Sequence, residues 1–219
     1  MEKESRFTYS KNVFRMPMLL IFLMWFVYWV EIKWGVNYLS YGLYPRTFVG
    51  LRGIFFSPFI HASISHLVNN SIPIVVFTGI LFYFYREIAF RVLVLGGFFT
   101  GLCTWLIGVS AYHIGMSGLV YLLFGFIFFS GVLRKHYRLI AVSLVVIFLY
   151  GSMFWYVFPI EEGISWEGHL SGLSVGFTFA ILYRKIGPQK VAYIFKKDAF
   201  DLLFDEEGNF NPPSKEEDV

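Results

Sequence analysis

The sequence predicts an all-α, polytopic membrane protein, a single bundle of six transmembrane helices. Three observations carry that prediction. Of the 219 residues, 57% are hydrophobic and only 15% charged, against about a quarter charged in soluble domains, and the mean hydropathy is +0.61. Apolar stretches long enough to cross a hydrocarbon core of about 30 Å occur six times. Most basic residues gather in alternate connections between those stretches, the charge asymmetry of a membrane topology.

Taken in order, residues 1–15 form a charged N-terminal segment. The first apolar run, about Met16 to Trp34, ends at Glu31, Lys33 and Trp34 with no small-residue cleavage site, so it reads as a retained helix and not as a signal peptide. Residues 35–65 make a long connection rich in aromatic, Gly and Pro residues (Tyr44, Pro45, Phe48, Phe55, Phe56, Pro58, Phe59), suited to lie in the interface or to re-enter the membrane edge. The runs His66 to Tyr85, Ile88 to Gly108, Ser117 to Leu133, Leu139 to Phe158 and Trp166 to Tyr183 complete the six. They are continuous rather than alternating and far exceed the roughly 10 residues of a membrane barrel strand. The expected organisation is therefore a segment 1–15, one helical membrane domain 16–185, and a flexible tail 186–219 that begins basic, ends acidic and holds Pro212 and Pro213. There is no internal repeat and no pair of broken helices of the transporter kind.

Orientation follows from lysine and arginine. Lys3, Arg6, Lys11 and Arg15 precede the first run, and Arg86 and Arg91 separate the second and third. Arg134, Lys135 and Arg138 separate the fourth and fifth; Arg184, Lys185, Lys190, Lys196, Lys197 and Lys215 follow the sixth. These are fifteen of the 18 basic residues, all on one side of a six-helix topology. The other side holds Lys33, Arg46 and Arg52 together with Glu161, Glu162 and Glu167. By the positive-inside rule both termini are expected in the cytoplasm, and the expected location is a bacterial cytoplasmic (inner) membrane.

Several classes are disfavoured. The net charge of +3 comes without an aromatic-interleaved basic patch, so nucleic acid is not an expected partner. Cys103 is the single cysteine, which leaves no disulfide or thiolate cluster within the chain. His61 and His66 are five apart and do not share one helix face, and no HExxH pattern occurs, so neither a metal nor another cofactor is expected. His113 and His136 fall in connections and are expected to be solvated.

Polar groups inside a membrane bundle are costly unless satisfied, which makes them the places to look. Four stand out: His66 and Asn70 on the second run, Ser117 opening the fourth, and His169 near the start of the sixth. Asn70 lies 16 residues before Arg86, Ser117 17 before Arg134, and His169 15 before Arg184. At 1.5 Å per residue these separations are roughly 24, 26 and 22 Å. Three independent rulers thus put the groups at one depth.

A serine needs a base to become a nucleophile, and histidine is the usual base. Ser117 sits among small residues, Gly115-Met116-Ser117-Gly118, that permit close approach. Gly168, Gly172 and Gly176 form a stripe that lets the last helix pack tightly beside another, bringing His169 with it. Tyr121, one turn below Ser117, has a ring suited to support the imidazole. His66 and Asn70, at i and i+4, present side-chain donors that with the Ser117 N–H suit an oxyanion. Glu167 points elsewhere at i−2, so a dyad is expected rather than a triad. Each residue alone has a plainer reading: a packing serine, a buried structural histidine, an interhelical asparagine. The common depth and helix side favour chemistry.

The joint pattern His66-x-x-x-Asn70, Gly115-x-Ser117-Gly118 with Tyr121, and Gly168-His169-x-x-Gly172-x-x-x-Gly176 resembles the rhomboid proteases over about residues 16 to 185, in their minimal six-helix form. The resemblance implies an intramembrane serine endopeptidase with Ser117 and His169 as dyad, His66 and Asn70 binding the oxyanion, and Tyr121 packed on the histidine. It also implies membrane-spanning protein substrates within the lipid bilayer. The Trp-Arg pair often seen in the first loop of such proteins is replaced by Tyr44-Pro45-Arg46. Two other readings remain: a catalytically silent rhomboid-like protein that binds membrane helices, and a transporter or channel with a polar interior, which would call for mid-membrane charges or discontinuous helices.

Overall fold

A computed structural model describes residues 9–161, 163–190 and 200–210. Among them the chain is helical, with two isolated antiparallel bridges, Leu43 with His113 and Phe204 with Phe210. The helices are α1 (Asn12–Trp34), α2 (Gly53–Phe56), α3 (Ile64–Phe84), α4 (Ala89–Ile107), α5 (Ser117–Arg134), α6 (Tyr137–Tyr150) and α7 (Trp166–Leu182). Lys3, Arg6, Glu162, Lys196, Lys197, Pro212, Pro213 and Lys215, used in the sequence reading, lie outside the described residues.

All six apolar runs are helices, with α2 a single turn inside the first connection. Five spans are long and apolar enough to cross a membrane, the fifth being Tyr137–Val157, where α6 is extended by a 3-10 segment. The sixth, α7, has 17 residues, about 25 Å, and carries Glu167, His169 and three glycines. The protein is a multi-pass membrane bundle with α5 and α7 at its centre. The rings of α1, Phe22, Phe26, Trp29 and Trp34, form an outward ladder, and α4 and α6 likewise expose Val94, Leu144 and Phe148. Apolar side chains facing outward are what a lipid solvent asks for.

The expected helix Leu139 to Phe158 departs from the structure. Its α-helical part stops at Tyr150, and Gly151–Val157 continues as a 3-10 helix. Gly151 weakens the helix at the changeover. Beyond it, the carbonyls of Met153 and Tyr156 accept hydrogen bonds from side chains of α5 and α7. Those tertiary bonds take acceptors that a continued α-helix would turn inward on itself.

The pairing of α5 with α7 is the most extensive in the molecule. A Cβ on Gly172 would lie 2.2 Å from the Gly118 carbonyl oxygen, and one on Gly176 would lie 2.3 Å from that of Leu122. Backbone therefore touches backbone, as small-residue stripes allow between membrane helices. At the opposite end from Ser117 stands Arg134, one of the basic residues between the fourth and fifth runs. It is buried, and its guanidinium donates to Ser130 Oγ (2.8 Å), to Tyr183 O (2.7 Å) and to Ile186 O, over the Tyr85 ring. Both carbonyls belong to the turn that follows α7, so Arg134 ties that turn to the end of α5.

The contrast between glycines gives a test. Gly176→Ala must separate two backbones and is expected to cost about 1–3 kcal/mol, the range for overpacking. Gly151→Ala meets only the Ile147 side chain at 3.4 Å and should be near neutral. Thermal unfolding of the two variants in detergent checks this; equal midpoints would show that the α5–α7 contact is not tight.

Candidate active site

Ser117 is the first residue of α5. Leu119 gives its N–H to Met116 O at 3.0 Å, which leaves the Ser117 and Gly118 N–H groups at the positive end of the helix dipole. The chain reaches it through Gly115, at φ +100°, whose N–H donates to Ser57 O at 2.8 Å. A Cβ at Gly115 would be 2.6 Å from the His66 ring and 3.8 Å from Asn70 Nδ2. Glycine is thus required on two counts, and His66 and Asn70 stand beside the segment entering Ser117.

On α3, Ser63 caps the helix by accepting from the His66 N–H at 3.1 Å. Asn70 is buried; its Nδ2 donates to the His66 carbonyl at 2.9 Å, which fixes the amide and leaves its second N–H available. His61 lies in the turn before α3, off the helix, and so can meet His66 after all, edge to face with 5.0 Å between ring centroids. Burial, reinforced by His66, holds the His61 imidazole down at about 4, so it is neutral at physiological pH.

His169 is 7% exposed and held from two sides. Its Nδ1 is 2.9 Å from the Tyr156 carbonyl oxygen. A carbonyl only accepts, so Nδ1 carries the proton and Nε2 keeps a lone pair. The ring stacks on Tyr121, with 4.1 Å between centroids and 10° between planes. Tyr121 was expected to act through its ring; its hydroxyl also works, donating to Met153 O at 2.7 Å. Ser117 and His169 are thus joined through Tyr121, one turn below the serine, without a direct hydrogen bond between them among the described residues. Such bonds are often long in unliganded sites and tighten around substrate.

A polar network, unread in the sequence, joins the connection 108–116 to the start of α7. Glu167 does point away from His169, but it is 1% exposed and accepts from Val109 N at 3.1 Å. His113, expected in solvent, is buried: Leu43 pairs with its backbone on both sides, its Nε2 faces Val109 O at 3.1 Å and its Nδ1 faces Ser165 Oγ at 2.5 Å. Ser165 Oγ also accepts from Gly168 N at 3.3 Å, capping α7. His136 is buried as well, as the cap of α6, accepting from Arg138 N. Both corrections have one cause: a polar connection in a tight bundle is folded inward to satisfy helix ends.

The first loop braces the same connection. Arg46 donates to Gly108 O (2.7 Å), Leu106 O (3.3 Å) and Ser110 Oγ (3.3 Å), Tyr44 donates to Ser110 O (3.2 Å), and Trp105 donates to Thr47 O (2.9 Å). Tyr44-Pro45-Arg46 therefore anchors the loop to the end of α4. Between loop, α4 and α5 lies a cavity of about 480 Å³ that includes Ser57, Phe98, Thr100, Gly115, Ser117 and Gly118 in its walls. Among the described residues no three His, Cys, Asp or Glu side chains converge as a metal site would require.

Comparison with known proteins gives the chain a family. A family model described as the Rhomboid domain matches residues 50–186, from the first connection through α7. Uncharacterized proteins of Mycobacterium bovis and Mycobacterium tuberculosis are 32% identical over 171 residues, covering 71% of this chain and 68% of theirs. An uncharacterized protein of Mycobacterium leprae is 34% identical over 142 residues, 60% of this chain and 56% of its own.

Tyr121 offers a test of how the site is held. Tyr121→Phe loses the Met153 bond alone and is expected to cost about 1 kcal/mol. Tyr121→Ala loses the ring as well and is expected to cost about 3–5 kcal/mol. Unfolding in detergent measures both; equal losses would show that the ring carries no support.

Proposed function

Because this chain belongs to the rhomboid family, we propose that it is an intramembrane serine endopeptidase that cuts membrane-spanning segments of other proteins with a Ser117–His169 dyad. The observation that carries the proposal is the double restraint on His169. Tyr156 fixes which nitrogen is protonated, Tyr121 fixes the plane of the ring, and the ring then lies one turn from the only serine at the start of α5. The two restraints hold the ring with its Nε2 lone pair uncommitted, as a general base requires.

The reaction follows from these groups. Nε2 of His169 takes the Ser117 proton as Oγ adds to the substrate carbonyl carbon. Tyr156 O stabilises the imidazolium through Nδ1–H, the part an acidic residue plays in a triad. The oxyanion is met by the Ser117 N–H, the free N–H of Asn70 and the His66 ring, at the positive end of the α5 dipole. His169 then gives the proton to the leaving amine, whose C–N bond breaks, leaving an acyl-enzyme on Ser117. A regular membrane helix shields its peptide bonds and has already used its carbonyls, so the substrate must open locally, at Gly, Pro or other weak helix formers. The membrane domain is assigned to residues 16–185, with 186–219 as a tail. Both termini are assigned to the cytoplasmic side of a bacterial inner membrane, a reading supported by the basic residues of alternate connections.

A fluorophosphonate is expected to label the protein at Ser117, to fail on Ser117→Ala, and to label His169→Ala about 10²–10⁴-fold more slowly. Asn70→Ala should cut membrane-anchored substrates about 10²–10³-fold more slowly than wild type. An adduct on another serine, or fast labelling without His169, would sink the dyad. Orientation has its own check: reporters active only in the cytoplasm should work when fused after Arg86 or Lys185 and be silent when fused within residues 36–56. The reverse result would invert the topology.

A further inference from the structure

Nucleophile and base stand on different helices, so the start of α5 and the start of α7 have to be held in register. On one side of the site the glycine contacts do this, Gly172 against Gly118 and Gly176 against Leu122. Packing sets the spacing of the two helices, whereas a hydrogen bond is directional and also resists rotation.

Directional bonds stand on the other side. The segment entering Ser117 and the first turn of α7 are joined through three side chains that the dyad does not use: the buried Glu167 and His113 and the half-buried Ser165. Their donors and acceptors can be followed round. The Gly168 N–H donates to Ser165 Oγ at 3.3 Å. His113 Nε2 lies 3.1 Å from the Val109 carbonyl, which only accepts, so Nε2 carries a proton; in the neutral ring Nδ1 then takes the Ser165 hydroxyl proton at 2.5 Å. The Val109 N–H donates to Glu167 Oε1 at 3.1 Å, and Glu167 is joined covalently to Gly168, where the path began. The bonds close a ring in which each donor meets an acceptor, and bonds so linked polarise one another.

The ring grips nucleophile and base by their neighbours. His113 is four residues before Ser117, and Glu167 is two before His169. His113 is itself seated, with its backbone paired to Leu43 on both sides and its Nε2 2.9 Å from where a Cβ on Gly108 would be. Two residues along a helix are roughly 200° apart around it. Glu167 therefore anchors one side of α7 while His169 meets Tyr121 and Tyr156 on another. Turning α7 so as to carry the imidazole off Ser117 would pull the buried carboxylate from Val109, and a buried acceptor that loses its donor is costly. The direction that keeps Glu167 out of a triad is the one that suits it to this task.

Building on the peptidase reading, we infer that Glu167, through its ring with Ser165 and His113, is a positioning residue that holds His169 within reach of Ser117. It touches neither the substrate nor the reacting atoms and moves no proton.

The full chain in detergent is given a fluorophosphonate and, separately, a fluorogenic membrane-segment substrate. Glu167→Leu removes the acceptor. It is expected to be labelled and to turn over about 10²-fold more slowly, as when a reacting group is displaced by about 1 Å, with KM unchanged. Glu167→Gln keeps an oxygen for the Val109 N–H and should restore most of the rate. A double variant separates positioning from mere stability. His169→Ala leaves no base to position, so adding Glu167→Leu to it should leave the residual labelling rate as it was. An equal fall in both backgrounds would overturn the inference, because Glu167 would then act on the serine or on the fold. So would wild-type rates in Glu167→Leu, or a raised KM with kcat retained, which would make Glu167 a substrate-binding residue. If Glu167→Leu does not fold, Ser165→Ala opens the ring from its other side. Its labelling should fall in the presence of His169 and be unaffected in His169→Ala, and wild-type labelling there would overturn the inference too. A wild-type protein that neither labels nor cleaves would overturn the peptidase reading itself.

Discussion

The molecule depends on one contact, the approach of the α5 and α7 backbones at Gly118, Gly172 and Gly176. Lipid tails are as apolar as leucine, so helices in a bilayer gain little from burying apolar surface against each other and associate through close packing and hydrogen bonds. Where a Cβ would come within 2.2 Å of a carbonyl oxygen, that packing is as close as two chains permit. The stacking of His169 on Tyr121 is a consequence, because a 4.1 Å ring separation between two helices needs their axes held this near.

Around that contact the polar groups are shared between elements rather than kept within them. The Met153 and Tyr156 carbonyls leave their own helix for Tyr121 and His169, and Val109 is held by Glu167 through its N–H and by His113 through its carbonyl. Arg134 does the same for the far end of α7. Each arrangement answers the rule that buried backbone groups must be paired. Each also fixes one segment of the candidate site against another.

Much of this could be read beforehand, and the reason is physical. A membrane span must be a long apolar run, so α1 and α3 to α5 begin and end within a few residues of their expected limits. A polar side chain in such a run is rare enough to name itself, which is how His66, Asn70, Ser117 and His169 were singled out, Tyr121 following from its place one turn below the serine. What stayed hidden has no side-chain signature. Any residue supplies a carbonyl, so nothing in Tyr156 or Met153 announces the bonds they accept, and the 3-10 turn that aims them follows from those bonds. His113 and His136 misled for a related reason: their type and place suggest solvent, and only the fold shows which helix end they serve.

The order of the helices along the chain has a consequence for biosynthesis. Ser117 leaves the ribosome 52 residues before His169, and chains are made from the N-terminus at about 5–20 residues per second. For a few seconds the nascent protein holds the hydroxyl without the imidazole. The stacking of His169 on Tyr121 waits for α7 to pack against α5 through its glycines. A chain truncated before that point carries Ser117 and Tyr121 without the ring that rests on the tyrosine.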